Sequence, residues 1–213
     1  MPERTDKLLY LPELFRRFGR LRRFSAGEQI FLKDTPAREV YYLERGRVRA
    51  YLLYPDGSER TLCFVERENL VGEEALGRPP VRIVCADAVT DLRMYAMRAE
   101  TLLEHCGAEP DSLPELTALF MRKIHLLSSW IFYAQFTRNE AKLACFLYSN
   151  TQNRQEVRYT QEQIAAVTGM SRVSVSNCLR KLQRDGLVSV AYKRIRVLNR
   201  EELRTLFGEQ EFY

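Results

Sequence analysis

Three hydrophobic patterns succeed one another along the chain. From residue 24 to about 97, short apolar runs at 29–32, 40–44, 47–54, 60–65, 81–86 and 91–97 are punctuated by Gly27, Gly46, Asp56-Gly57 and Gly72. Evenly spaced β-type runs with turn signals between them predict a small barrel or sandwich. Asp56-Gly57, set between two such runs, predicts a hairpin. Two further bends, Lys33-Asp34 and Glu68-Asn69, carry no glycine, which puts their turn geometry in question. Ahead of the strands, Leu8, Leu11, Leu14, Phe15 and Phe18 keep helical spacing and predict a helical lead-in over residues 1–23.

The period changes after Glu109-Pro110-Asp111. Leu113-Pro114 suits a first helical turn, where proline is tolerated. From there Leu116, Phe120, Ile124, Leu127, Ile131 and Ala134 advance in steps of three and four, the spacing of a seam against a second copy of the same helix or of packing on the chain's own β region. Both uses are expected, since Trp130, Tyr133 and Phe136 widen the apolar surface beyond a narrow seam. Another helix is expected over 141–149, then a polar loop over 151–159.

The third pattern starts at Thr160. Thr160 and Gln163 form a capping-box pair at a helix start. Ile164, Ala165 and Val167 give that helix an apolar side, and Gly169 lets the chain leave it. Ser171 is placed to cap a second helix in which Val175, Leu179 and Leu182 face inward. Arg172, Val173, Ser176, Asn177 and Arg180 then point outward, a set of side chains suited to a DNA groove. Asp185-Gly186 ends the helix, and strands over 187–190 and 194–198 flank Tyr192-Lys193 as a wing.

Charge follows this division. Residues 138–213 hold 13 Lys+Arg against 8 Asp+Glu, a net of +5, whereas residues 1–137 hold 20 of each. The whole basic excess therefore travels with the helix-turn-helix, as phosphate contacts would require. The 46% share of hydrophobic residues fills a core. No apolar run approaches the roughly 18 residues that span a bilayer, and the first ten residues show no signal segment, so a cytoplasmic protein with no membrane partner is expected. Cys63, Cys85, Cys106, Cys145 and Cys178 are scattered, odd in number and without a C-x-x-C pair, which reads as free thiols. No metal site and no catalytic residues are expected: the two histidines form no nucleophile-base pairing, and no phosphate-cradling P-loop is present.

The segments PAREVYYLERGRVRAYLLYPDGSERTL, NLVGE and IAAVTGMSRVSVSNCLRKLQRDGLV together resemble the cyclic-AMP receptor protein and fumarate-nitrate regulator (Crp/Fnr) family of bacterial transcription factors. The resemblance covers nearly the whole chain. It implies an α+β fold: a cyclic-nucleotide-binding-like β-roll (jelly roll) over residues 1–110, a long dimerisation helix over 111–138 and a winged helix-turn-helix over 139–213. The implied partners are double-stranded DNA, a second copy of the chain in a homodimer on a palindromic site, and RNA polymerase.

Carried over residue by residue, the base-reading positions fall on Arg172, Val173 and Asn177, with Ser176 beside them. Arg172 matches the family's guanine-reading arginine. Val173 replaces a frequent glutamate and Asn177 the usual arginine, which turns the expectation toward thymine methyls, adenine edges and an A·T-rich palindrome. Thr160, Gln161, Ser171, Ser174, Arg180 and Lys181 are the candidates for phosphate contacts.

In nucleotide-binding members a Gly-Glu pair meets the ribose and an Arg-Ser or Arg-Thr pair holds the cyclic phosphate. Gly72-Glu73 is present here, but Arg82 is followed by Ile83, Pro79-Pro80 stiffens the approach, and an exposed strand-end charge is the expected state of Arg82. Cyclic AMP is therefore not the expected effector. No cofactor is expected either: an iron-sulfur cluster would need cysteines ahead of Cys63, and haem would need ligands among His105, His125, Cys85 and Cys106. What is expected is a small organic effector between roll and long helix, near Gly72, Glu73, Arg82, Lys123, Leu127, Ser128 and Trp130. Val173, the shortened segment after Gly72 and the terminal EQEFY are similar to the chlorophenol-sensing members of the family, which favours an aromatic acid or phenol.

Overall fold

The computed structural model describes residues 10–109, 112–151 and 155–208. Leu8 and the terminal EQEFY fall outside them, as do the side chains of Trp130, Tyr133 and Ala134. The chain divides into two compact units, residues 1–124 and 125–213.

The first unit holds two four-stranded antiparallel sheets. Strands β1 (Arg20–Phe24), β8 (Leu92–Arg98), β3 (Glu39–Arg45) and β6 (Asn69–Val71) make one, in the order β1-β8-β3-β6. Strands β2 (Gln29–Phe31), β7 (Cys85–Ala88), β4 (Arg47–Leu53) and β5 (Glu59–Glu66) make the other, in the order β2-β7-β4-β5. Side chains alternate between faces along a strand, and β3 uses both. Tyr41 and Leu43 enter a core with Val48, Val65, Ala86 and Met94. Val40 and Tyr42 enter a second core, completed by helices α1 (Tyr10–Phe18), α2 (Ala99–Ala108) and α3 (Ser112–Gln135) through Leu11, Phe15, Leu102, Leu116 and Leu119. The run VYYL is buried on both faces, which explains why it carries no polar position.

Asp56-Gly57 turns the β4–β5 hairpin: Gly57 adopts φ 81°, and the Asp56 carboxylate accepts from both the amide and the hydroxyl of Ser58. Asp34 and Glu68 take left-handed φ values of 64° and 66°, so these bends keep the glycine-type geometry without glycine. The lead-in helix is shorter than expected. It stops at Phe18, and residues 20–24 become the edge strand β1, because Gly19, whose added Cβ would lie 2.4 Å from the Phe15 carbonyl, redirects the chain onto β8. The strand expected over 81–86 begins instead at Cys85: Val81 forms an isolated bridge with Pro36, and the Arg82 amide donates to the Thr35 carbonyl. Helix α2 has no counterpart among the elements that the sequence pattern predicts.

The start of α3 is fastened to the first unit. The Glu115 carboxylate accepts from the amides of Tyr10 and Leu11, capping α1, while Ser112 donates to the carbonyl of Cys106 or Glu109. Leu116 and Leu119 are buried, whereas further along Met121, Ile124, Leu127 and Ile131 are exposed.

The second unit contains α4 (Asn139–Ser149), α5 (Gln161–Thr168), α6 (Arg172–Arg184), α7 (Arg200–Thr205) and a three-stranded sheet of β9 (Glu156–Val157), β10 (Val188–Ala191) and β11 (Arg194–Val197) in the order β10-β11-β9. The polar loop before Thr160 thus contributes a strand, β9, through the register Ile195↔Val157. No helix among the described residues is long and apolar enough to cross a membrane.

Candidate DNA-binding surface and effector region

Local chemistry builds the helix-turn-helix. Thr160 Oγ1 accepts from the Gln163 amide (3.1 Å), and Gln163 Oε1 accepts from the Thr160 amide (2.9 Å), so the capping box is complete. Gly169 leaves α5 at φ 71°, a left-handed conformation that a Cβ disfavours. Ser171 then caps α6 by accepting from the Ser174 amide at 3.0 Å. Ile164, Val175, Leu179 and Leu182 are buried and lock the two helices to the unit.

This packing sets which side chains α6 presents. Arg172, Val173 and Asn177 are exposed, with Val173 at 69%, and Ser176 is half-buried beside them. The four expected base readers therefore share the outward surface of one helix. Most of the Val173 side chain faces solvent, and apolar contact with a groove methyl is one use for it.

The expected phosphate set is less uniform. Thr160 and Gln161 stand at the start of α5, and Ser171 and Ser174 at the start of α6, where free amides and the helix dipole favour anions. Ser171 also donates to Ser174 Oγ (2.9 Å). Lys181 pairs with Glu140 of α4 at 2.7 Å, and Arg172 with Glu162 at 3.5 Å. The Arg172 pair is fully exposed and of modest strength, so phosphate can replace its carboxylate, while the Lys181 ammonium is half-exposed on a largely covered Glu140. Glu140 and Glu162 had no local signal that would mark them as partners of the reading helix. At the wing tip Tyr192 is 86% exposed, and the Lys193 ammonium lies 5.1 Å from its ring centre.

The roll departs from expectation at Arg82. Far from being a strand-end charge, it is 3% exposed. One guanidinium nitrogen donates to the Gly72 carbonyl and another to the Glu39 carbonyl, both at 2.6 Å, and the group stacks 4.2 Å from the centre of the Phe31 ring. Burial raises the neighbouring Glu74 carboxyl above its ordinary range, against the lowering effect of Lys123 and Arg82. Gly72 at φ 77° suits this arrangement, since an added Cβ would lie 2.3 Å from the guanidinium. Lys123 is ion-paired with Glu73, whose Oε2 is buried without a hydrogen-bond partner among the described residues. Burial pushes the Cys63 thiol up to about 11. Leu127 and Ser128 are exposed positions of α3 in the second unit, and the Trp130 side chain lies outside the described ones. The structure thus brings together Gly72, Glu73, Arg82 and Lys123. Among the described residues no group of three or more His, Cys, Asp or Glu stands in a metal-binding arrangement.

Comparison with known proteins agrees with both units. Residues 21–108 match the cyclic nucleotide-binding domain family, and residues 141–206 match the Crp-like helix-turn-helix domain family. The chain is 30% identical over 187 residues to the transcriptional regulator LdrP of Thermus thermophilus, covering 84% of this chain and 92% of that protein. It is 24% identical over 189 residues to a CRP-like cAMP-activated global transcriptional regulator of Mycobacterium tuberculosis, covering 84% of each chain. Among solved structures, a CRP-family transcriptional regulator from Thermus thermophilus superimposes with a TM-score of 0.65 at 29% identity, covering 88% of this chain and 97% of that one. FixK2 from Bradyrhizobium japonicum shares the fold with a TM-score of 0.77 at 20% identity, covering 91% and 99%. These relatives are regulators and not enzymes, and the chain belongs to the Crp/Fnr family of DNA-binding transcriptional regulators.

Proposed function

We propose that the chain acts in the cytoplasm as a homodimer that binds a palindromic, A·T-rich operator through α6, engages RNA polymerase there, and answers to a small organic effector other than cyclic AMP. The observation that carries this is the side-chain division of α6, with Val175, Leu179 and Leu182 buried while Arg172, Val173 and Asn177 face outward. Exposed Met121, Ile124, Leu127 and Ile131 on α3 supply an apolar surface for a second copy, and dimers of such regulators meet successive major grooves about one helical turn apart. Val173 suits a thymine methyl and Asn177 an adenine edge. Against cyclic AMP stands Arg82, which is buried and directs one N–H of each terminal nitrogen to the Gly72 and Glu39 carbonyls, with Ile83 following where the family's nucleotide-binding members carry a hydroxyl. Glu73 Oε2, a buried acceptor without a hydrogen-bond partner among the described residues, would be satisfied by a ligand hydroxyl such as that of a phenol. Selection of duplexes from a random pool tests the operator: A·T-rich inverted repeats are expected, and guanine-rich half-sites would overturn the base assignment.

A further inference from the structure

On α6, Val173, Asn177, Arg180 and Arg184 advance in steps of four, three and four, opposite buried Val175, Leu179 and Leu182. Arg180 therefore stands on the same outward line as the base-reading positions, not on the flank of the helix. Lys181, one residue on, is turned aside and paired with Glu140. Arg180 makes a different contact: its Nη2 donates to Oδ1 of Asn177. The two side chains, with Gln183 and Arg184, line one concave stretch of the helix surface. Among the described residues no carboxylate lies within ion-pair distance of Arg180.

From this geometry we infer that Arg180 is a positioning residue for Asn177, and that the two read DNA as one unit. The inference rests on the operator-reading role proposed above for α6. An unrestrained asparagine amide presents either its oxygen or its nitrogen to a base. The Arg180 guanidinium, a rigid fork of donors, takes the oxygen and leaves the Asn177 N–H pair facing away from it. The base edge that completes the contact is then an acceptor: a purine N7, a guanine O6 or a thymine O4. Holding the amide before DNA arrives also lowers the ordering cost of binding.

The test uses the full-length protein and the operator selected by the wild type, with duplexes varied at every position of one half-site. Asn177→Ala marks the base pair that Asn177 reads by removing its preference. Arg180→Ala is expected to relax preference at that same pair by about tenfold, the scale of one good base contact. Arg180→Gln keeps a donor three residues along the helix, where Gln–Asn hydrogen bonds form, and is expected to restore most of that preference despite its lost charge. If Arg180→Ala and Arg180→Gln instead weaken all duplexes equally and flatten the salt dependence by about one unit, Arg180 is a phosphate contact and the inference is overturned. A wild-type protein that selects no sequence would remove the operator-reading role itself, a separate failure visible before any variant is made.

Discussion

Arg82 donates a 2.6 Å hydrogen bond to the carbonyl of Gly72, ten residues earlier, from a site 3% exposed. Together with its bond to Glu39 and its stack on Phe31, this makes the arginine an internal strut between β3, the Gly72 bend and β2. Arg82→Ala would remove a donor from the buried Gly72 carbonyl and the half-buried Glu39 carbonyl, and the neighbouring charge from Glu74. Equilibrium denaturation without any small molecule should show a loss of about 3 kcal/mol, the scale of breaking a buried charged contact. A loss below about 1 kcal/mol, an ordinary surface effect, would mean the strut is not formed.

The same commitment bears on the effector. A ligand that binds only the folded state raises the melting temperature in proportion to the logarithm of its concentration above Kd. Cyclic AMP should leave the melting temperature unchanged, while phenols or aromatic acids raise it. A concentration-dependent rise with cyclic AMP would contradict the proposal of an effector other than cyclic AMP.

Glu74 provides a pH signature. Burial raises its folded-state pKa. The folded form therefore takes up a proton more readily than the unfolded form, and the resulting stability is present at low pH and lost as pH rises through the folded-state pKa. Measured from pH 7 down to pH 4, wild-type stability should gain on that of Glu74→Gln. A difference that stays flat would remove Glu74 as a titrating group.

The five cysteines should divide in two. Cys63, Cys85 and Cys145 are buried, with burial pushing the thiols of Cys63 and Cys145 up to about 11 and about 12, whereas Cys106 and Cys178 are partly exposed. A short pulse of a thiol reagent on the native protein, read by peptide mass, should label Cys106 and Cys178 first, since the thiolate is the reactive form and must be reached. Early labelling of Cys145 would contradict the packing of α4.

The elements legible in the sequence are those held by local chemistry. Thr160 and Gln163 cap each other three residues apart, Asp56-Gly57 turns a hairpin within itself, and Val175, Leu179 and Leu182 mark one side of α6 by period alone. Two strands without an apolar alternation of their own, β1 and β9, were not legible. β1 exists because Gly19 lays the arginine-rich segment 20–23 beside β8, and β9 because Val157 meets Ile195. For the DNA surface, the outward residues followed from helical period, but the Lys181–Glu140 pair joins positions 41 apart and left no local trace. For the effector region, sequence placed Gly72, Glu73, Arg82 and Lys123 near one another yet assigned Arg82 to the surface. Nothing in a one-dimensional pattern says that two carbonyls and an aromatic ring will surround it.

Under the proposed function, α6 reads DNA as one half of a two-fold dimer. The most direct measurement is the mass of the complex on a selected palindromic duplex, taken together with affinity for that duplex and for a scrambled one over a range of salt. Two chains per duplex are expected, with the palindrome favoured by about a thousandfold or more and affinity for both falling steeply as salt rises. A single chain per duplex, or equal affinity for the palindrome and the scrambled sequence, would contradict it.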